Sequence, residues 1–263
     1  MATSTQRAAH DLWAGFKSPR IWLLLAWYDL EARYRRTILG PLWHTLTMAG
    51  WIVGLAVIFS TVRYRDDDGF LLYLSAGVTG WTLLAGMLGE GSSAFQRGGN
   101  LLATYDLPAS VHIFRSVMNQ LIMFAHTLVV MAGILIYTGT GLTLHSLMII
   151  PAVGLYFVFG VGATMCLALL GARFRDVSPA LGAALAFMFL VTPVFWRKES
   201  LGDRMWIADY NPLYHLLEVI RAPLMGQPAA PVSWGVAVVL AIGLTAVGTL
   251  AFMRFRRVLN YWI

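Results

Sequence analysis

Three arginines crowd a short stretch near the start of the chain, EARYRRTILGPLW. Arg33, Arg35 and Arg36 precede a Gly40-Pro41 pair, after which the sequence turns apolar at once. A cluster of guanidinium groups binds nucleic acid, lies at a membrane surface, or marks the cytoplasmic flank of a membrane span. The rest of the chain decides among these three uses.

Motifs for nucleotide and metal chemistry are missing from the sequence. A phosphate-binding loop of the Walker type needs Gly-Lys followed by Ser or Thr, but the only lysines, Lys17 and Lys198, follow Phe16 and Arg197. There is no His-Glu-x-x-His motif and no Cys-His cluster with metal-ligand spacing. We therefore expect no cofactor and no metal in this chain.

The composition is that of a membrane protein. Of the 263 residues, 58% are hydrophobic and only 12% are charged, with a mean hydropathy of +0.67. A soluble domain has about 25% charged residues. The net charge of +6 comes from basic residues that flank apolar runs, which disfavours nucleic-acid binding.

The apolar runs predict an all-α integral membrane protein with a single transmembrane domain over residues 1–263. A helical span needs about 20 mostly apolar residues. With the amino terminus inside, 13 of the 19 Lys and Arg residues fall on the cytoplasmic side, so the positive-inside rule places both termini in the cytoplasm. The six predicted spans cover residues 42–62, 70–89, 117–137, 146–170, 178–196 and 232–253.

The arginine cluster ends a predicted interface helix over residues 21–36. Its apolar residues recur at helical spacing and its charges collect at the far end, which is typical of an amphipathic helix lying in the cytoplasmic membrane interface. The alternative is a plain positive-inside flank with no further role. The apolar residues concerned are Ile21, Leu24, Leu25 and Tyr28.

A second non-spanning helix is predicted on the outer side. The stretch NPLYHLLEVIRAPLMG (Asn211 to Gly226) is apolar at helical spacing but too short to cross a membrane, which predicts a re-entrant or interfacial segment. Glu218 and Arg221 lie three residues apart in it, where they can pair.

Polar groups inside the predicted spans are few. His44 and His126 lie within spans, where a lone histidine is more often structural than catalytic. Carboxylates are missing from span interiors, with Glu90 at the inner end of the second, which disfavours an ion-coupled carrier.

Aromatic residues deep in the spans have two interpretations. They either pack helices together or offer stacking faces to a sugar chain passing through a conduit. The residues concerned are Trp51, Phe59, Tyr73, Trp81, Phe187 and Phe189.

Four segments together resemble a known family. YDLEARYRRTILGPLWHTL, NLLATYDLPASVHIFR, ARFRDVSP and NPLYHLLEVIRAPLMG occur in this order along nearly the whole chain. They are similar to the permease subunit of ATP-binding-cassette exporters for polysaccharides, which move O-antigen, capsule and teichoic acid chains. The resemblance implies a homodimer in the bacterial cytoplasmic (inner) membrane, bound to two copies of a separate ATPase that holds the ATP.

The resemblance also implies roles for particular residues. Leu39 and Gly40 would belong to the loop at the substrate's entrance, where Arg33, Arg35 and Arg36 would attract a lipid pyrophosphate or bulk anionic lipid. A coupling helix that meets the ATPase would lie within residues 100–115, although the stretch ATYDLP stands where the family has a more basic one. The coupling residues concerned are Asn100, Tyr105, Asp106, Pro108 and Arg115.

The function predicted from the resemblance is a non-enzymatic transporter subunit that exports a lipid-linked, O-antigen-like polysaccharide. Two alternatives stay open at this point. One is an exporter of the same architecture for a drug or a small lipid. The other is a membrane-embedded enzyme acting on a lipid-linked sugar, which requires His44 or His126.

Overall fold

The structure is a computed structural model that describes residues 4–62, 69–98 and 107–262. Across these ranges every regular element is a helix, and residues 94–98 add a short helical turn. We number the α-helices α1 Ser4–Phe16, α2 Pro19–Tyr34, α3 Leu42–Val62, α4 Phe70–Ser92, α5 Ser110–Thr138, α6 Ile149–Arg173, α7 Val177–Val191, α8 Trp206–Asp209, α9 Pro212–Leu224, α10 Pro231–Phe255 and α11 Leu259–Trp262.

Within the described residues, five helices are long and apolar enough to cross a membrane: α3, α4, α5, α6 with the 3₁₀ turn before it, and α10. The fifth predicted span, residues 178–196, corresponds to α7, which is apolar but has only 15 residues. At 1.5 Å per residue it covers about 22 Å of a hydrocarbon core about 30 Å thick. The chain is thus an all-α integral membrane protein with five to six membrane helices.

Helix α7 ends at Val191 rather than at residue 196, the predicted end of the fifth span. The reason is Pro193, because the ring of a proline disfavours helical backbone in the residue before it. Thr192 is accordingly extended, with a ψ of 137°.

The third membrane helix starts at Ser110, not at residue 117 as predicted. Its first turn is held by Asp11, whose carboxylate oxygens accept the backbone N–H groups of Ala109 (3.1 Å) and Ser110 (3.0 Å). A carboxylate satisfies the free N–H groups at a helix start and suits the positive end of the helix dipole. The two partners are 98 and 99 positions apart in the sequence, so a hydropathy profile cannot reveal their contact.

Helix α1, which the sequence patterns did not predict, supplies this carboxylate. Asp11 also accepts a hydrogen bond of 2.7 Å from Nε of Arg256, just beyond the end of α10. Both termini therefore lie at the same end of the bundle. We call it the terminal end.

Helix α2 packs on the bundle mainly through residues outside the predicted apolar stripe. Trp22, Ala26 and Leu30 are buried, and Trp22 packs beside Phe114 of α5. Leu24 and Tyr28, in the predicted apolar stripe, are instead 52% and 53% exposed. The helix is apolar on both sides, one of which faces the bundle and the other the surroundings.

Helix α4 lies at the centre of the bundle, where it contacts α5, α6 and α9. The predicted re-entrant segment is α9, a helix of 13 residues whose Leu216 and Leu217 are buried in the main core. At about 20 Å it is too short to cross the membrane. It therefore enters the bundle without spanning it.

A polar network fastens α9 at the end of the bundle opposite the termini. Arg221 is only 3% exposed and donates from Nε to Glu218 over 2.9 Å, which confirms the predicted pair. It also donates to the hydroxyl of Tyr73 (2.7 Å) and the carbonyl of Pro193 (2.6 Å). One buried guanidinium thus joins α9 to α4 and to the chain after α7.

Candidate functional site

A cavity of about 520 Å³ lies between α3, α4 and α7. Its walls include three of the six predicted path aromatics: Trp51, Trp81 and Phe189. The ring centroids of Trp81 and Phe189 are 5.7 Å apart. The rest of the lining is mostly apolar, so the cavity can hold a ligand that presents flat or apolar faces.

The aromatic contacts continue beyond the cavity. The ring centroid of Phe195 lies 5.3 Å from that of Phe189 and 5.2 Å from that of Phe59, another of the predicted residues. Trp81, Phe189, Phe195 and Phe59 thus form a file of four neighbouring rings, which we call the aromatic file. Phe195 was not predicted to belong to it.

Tyr73 and Phe187 lie outside the cavity. Tyr73 is 8% exposed, and its hydroxyl donates to the carbonyl of Trp196 at 2.9 Å while accepting from Arg221. Its contacts are those of a residue that holds helices together. Phe187, also a residue of α7, is 60% exposed.

Polar side chains add hydrogen-bonding capacity to the cavity wall. His44, Thr47 and Thr82 all line it. Sequence reasoning singled out His44 without assigning it a partner, and it overlooked both threonines. In the sequence, Thr47 falls one helical turn after His44 and one turn before Trp51, a spacing that places all three on one face of α3.

The outward faces of α3 and α7 are largely uncovered. Only 11% of residues Leu42–Phe59 of α3 are buried, and no residue of α7 is buried. Gly50 and Gly54 lie in a groove of about 360 Å³ along α3, with no described atom within 4 Å of where a Cβ would be. Two apolar faces beside the cavity are thus free to meet another apolar surface.

The loop between α2 and α3 carries the predicted entrance residues. Thr37 stabilises it by donating to the carbonyl of Tyr34 (2.7 Å) and accepting from the N–H of Gly40 (3.1 Å). Gly40 has a φ of +55°, in the left-handed region that glycine adopts freely. Arg35, Arg36 and Leu39 are exposed on this loop.

Arg33, one of the predicted entrance arginines, forms an ion pair with α4. Its Nη2 lies 3.3 Å from Oε1 of Glu90, at the terminal end of α4. Arg97 pairs with the other oxygen of the same carboxylate and donates to the backbone carbonyl of Glu90 over 2.6 Å. One carboxylate therefore connects α2, α4 and the helical turn at 94–98.

Arg115 is the second centre of this cluster. It forms a two-pronged ion pair with Asp29 of α2, with one contact of 2.6 Å from Nε to Oδ2. A polar cavity of about 200 Å³ beside these pairs is lined by Asp29, Arg33, Arg97 and Arg115, together with Ser116 and Asn119. We call Asp29, Arg33, Glu90, Arg97 and Arg115 the ion-pair cluster.

Burial affects the pKa of Arg97 within this cluster. Desolvation lowers the pKa of its guanidinium to about 10, Asp29 opposes the change, and the neighbouring Arg33 and Arg115 reinforce it. The group still carries its charge at neutral pH.

The predicted coupling residues divide between two parts of the chain. Asn100, Tyr105 and Asp106 lie outside the described residues. Pro108 and Arg115 lie just after them, at the start of α5 and in the ion-pair cluster. Before them, Gln96 donates to the carbonyl of Gly171 in α6 over 2.6 Å.

These features define a class: a multi-pass α-helical membrane protein with a cavity between membrane helices and a charged cluster at one end. The sequence pattern of the ABC-2 type transporter family matches residues 20–225, which is most of the chain. The chain belongs to this family.

Two similar proteins share one name. One is the O-antigen export system permease protein RfbA of Myxococcus xanthus, which is 26% identical over 197 residues that cover 74% of this chain and 76% of the relative. Another is a protein of the same name from Klebsiella pneumoniae, 24% identical over 191 residues, 72% of this chain and 74% of the relative. The resemblance to polysaccharide-exporter permeases is therefore confirmed.

Proposed function

We propose that this chain is the membrane subunit of an ATP-driven exporter that moves a lipid-linked polysaccharide across the bacterial cytoplasmic membrane. It works as a homodimer with two copies of a separate ATPase. The observation that carries the proposal is the aromatic-lined cavity beside two uncovered membrane helices, in a chain whose relatives are named as O-antigen export permeases.

The cavity suits a sliding sugar chain. Aromatic faces stack on the apolar faces of sugar rings without a deep pocket for any one sugar, so successive units can pass. His44, Thr47 and Thr82 add hydrogen bonds that can be exchanged as hydroxyl groups move by. In the proposed dimer, α3 and α7 of one subunit face those of its partner, and Trp51 and Phe187 take part in the wall between them.

The ion-pair cluster suits transmission from the ATPase. The proposed coupling segment, residues 100–115, is tied at its near side to α4 through Arg97 and to α6 through Gln96. On its far side Arg115 is tied to α2 and the start of α5 is capped by Asp11. A push on the segment therefore acts on four helices together.

The exposed arginines suit an anionic lipid carrier. Arg35 and Arg36 lie on the loop next to Leu39, at the end of the helix that also leads into the cavity-lining α3. A lipid pyrophosphate approaching there meets two unscreened guanidinium groups before its sugar chain reaches His44. The terminal end is then cytoplasmic, in keeping with the excess of basic residues on that side.

The first test is purification of the tagged chain in mild detergent together with the ATPase encoded nearest to it. We expect a stoichiometric complex whose ATP hydrolysis depends on this subunit, and accumulation of lipid-linked glycan inside cells that lack it. A chain that purifies alone, with glycan export intact in its absence, would overturn the proposal. Accumulation of a small lipid or drug instead would support the proposed architecture but contradict the proposed polysaccharide substrate.

The second test is aimed at the cavity. Trp81→Leu and Phe189→Leu remove stacking faces but keep apolar bulk, so glycan export should fall several-fold while ATP hydrolysis by the complex persists. Trp234→Leu is the matched control, because Trp234 packs on the core from α10 and does not line the cavity. Equal export by all three variants would contradict the proposed path.

A further inference from the structure

A second apolar groove lies on the opposite side of the bundle, at the terminal end. It has a volume of about 560 Å³, within the range of about 300–1,000 Å³ found for small-molecule sites. Helix α6 and helix α10 form its two sides and α11 closes one end. The proposed path does not use it.

The groove begins where α6 and α10 are in closest contact. A Cβ added to Gly162 would lie 2.4 Å from the backbone nitrogen of Thr245, and one on Gly248 would lie 2.9 Å from the carbonyl of Gly162. From this contact toward the terminal end, larger side chains take over and the groove runs between them. Its lining residues are Cys166, Leu169, Leu170, Arg173, Val247, Ala251, Phe255 and Trp262.

The groove is open sideways, toward the region that surrounds the helices. Val247 is 58% exposed, Leu170 49% and Phe255 42%. Because these residues belong to membrane helices, the medium they face is the hydrocarbon of the bilayer. An acyl chain can therefore enter the groove from the side without crossing water.

One end of the groove is strongly basic. Arg173 lies in the last turn of α6, with its guanidinium 5.1 Å from the ring centre of Trp262 and 5.2 Å from that of Phe174. Stacking on two rings holds the charge at the mouth of the groove while leaving its N–H groups free to donate. Tryptophan and arginine at this position mark the depth of the lipid headgroups.

The charge around the mouth has little compensation. Residues 171–176 and 254–257 contain five arginines and one aspartate, Asp176. Of these arginines, Arg256 is bound to Asp11. Within the part of the chain that the structure describes, Arg173, Arg254 and Arg257 form no ion pair with a carboxylate.

We propose that this groove is a binding site for an anionic phospholipid. One acyl chain lies between α6 and α10, and the phosphate is held by Arg173 with Arg254 and Arg257 nearby. Basic pockets between membrane helices on one side of the bilayer bind headgroups of this kind. Binding clamps α6 to α10 beside the start of α1, so the lipid stabilises the terminal end of the bundle.

Native mass spectrometry of the purified full-length chain tests the site, with dioleoylphosphatidylglycerol and dioleoylphosphatidylcholine added in turn. We expect the protein to retain the first phosphatidylglycerol better than phosphatidylcholine, and Arg173→Gln to reduce that preference about fivefold, as expected for one arginine near the surface. Arg204→Gln, an exposed arginine at the opposite end, should leave it unchanged.

Two filling variants keep all charges and test the acyl-chain part of the site. Ala251→Phe and the more exposed Val247→Phe should each lower retention of both lipids. Val247→Phe leaves the core untouched, which guards against a folding defect in the other variant. Thermal unfolding of each variant checks the fold, and added phosphatidylglycerol should raise the melting temperature of the unsubstituted protein but not of Arg173→Gln.

Several results would overturn the site. They are equal retention of the two lipids, a preference that survives Arg173→Gln, and retention that survives both filling variants. A photoreactive phosphatidylglycerol that crosslinks only to peptides outside 166–173 and 247–262, or a crosslink to a second copy of the chain through this groove, would also do so. None of these readouts depends on glycan export, so the site and the proposed function fail separately.

Discussion

At the scale of single residues, the buried charge of Arg221 needs more compensation than any other in the described chain. Its side chain is only 4% exposed, and its charge is balanced by Glu218 and by two further oxygen acceptors, the Tyr73 hydroxyl of α4 and the Pro193 carbonyl. An ion pair in such surroundings contributes little over an apolar pair, but removal of one partner leaves a buried charge without compensation. Glu218 therefore stabilises the fold because its carboxylate compensates the buried charge of Arg221.

We expect Glu218→Gln to lower the free energy of unfolding by about 3–5 kcal/mol. Chemical or thermal denaturation of the purified protein in detergent measures this. Lys198→Gln is the matched control at the same end of the bundle, because the amine of Lys198 lies 3.2 Å from Asp209 in an exposed pair worth at most about 1 kcal/mol. Similar losses for the two variants would show that Arg221 is better solvated than its burial indicates.

The sequence predicted one part of this network and missed another. Glu218 and Arg221 are three residues apart on one helix, a local relation that spacing alone reveals. Tyr73 lies 148 positions from Arg221, and the carbonyl of Pro193 is a backbone group. Long-range contacts of this kind depend on how helices pack, so the sequence alone does not reveal them.

At the scale of helices, the ion-pair cluster links α2 to the start of α5. Asp29 and Arg115 are 33% and 14% exposed, so their pair is partly shielded from water and is stronger than a surface pair. If the pair transmits movement, breaking it should separate ATP hydrolysis from transport rather than abolish both.

We therefore expect Arg115→Gln to reduce glycan export several-fold with much smaller loss of ATP hydrolysis in the assembled complex. The exchange variant, Asp29→Arg with Arg115→Asp, should recover part of the export because it restores the pair in reverse. Parallel assays of ATPase activity and surface glycan test this. Loss of both activities in Arg115→Gln, with no recovery in the exchange variant, would reduce the pair to a folding contact.

Helix α6 also depends on a close approach to α10 at Gly162. We expect Gly162→Ala to lower the free energy of unfolding by about 1–3 kcal/mol, the usual cost of overpacking, since the added Cβ meets backbone that cannot move away. Gly154→Ala on the same helix has no described atom within 4 Å and should be neutral or slightly stabilising. Thermal unfolding of both variants makes the comparison, and an unchanged Gly162→Ala would mean that the two helices are less tightly apposed.

Hydropathy predicted the membrane helices well because burial in lipid leaves a long apolar run that is independent of the partners. It failed where a helix end is fixed by a distant group, as Asp11 does for α5. It also failed for α1, whose sequence has no apolar run and which packs through small residues such as Ala8. Resemblance and depth singled out the loop between α2 and α3 and three of the cavity aromatics. The ion-pair cluster depends on the packing of α2 on α5, which the sequence does not show.

At the scale of the whole molecule, the distribution of uncovered apolar surface is uneven. Helix α4 is largely buried, whereas α3 and α7, which flank the aromatic cavity, cover little of each other and are covered by little else in the described chain. Lipid can cover such faces, but a cavity wall that opens onto lipid gives no route for a hydrated glycan. The proposed function therefore requires that a second copy covers them.

Crosslinking tests this arrangement, and the chain offers a simple design because Cys166 is its only cysteine. In a Cys166→Ser background, Gly50→Cys and Gly54→Cys on α3 and Gly182→Cys on α7 should give covalent dimers with a long flexible bis-maleimide in membranes. These glycines have open space at the Cβ position among the described atoms, so the substitutions cost little.

The matched control for this design is Gly243→Cys on α10. It is likewise exposed and has open space at the Cβ position, but it is not among the residues that line the cavity or the groove along α3. If α3 and α7 form the dimer interface, this variant remains monomeric under conditions that crosslink the other three. Dimers formed only through Gly243→Cys would place α10 at the interface, leave the aromatic cavity facing lipid, and remove the route on which the export proposal depends.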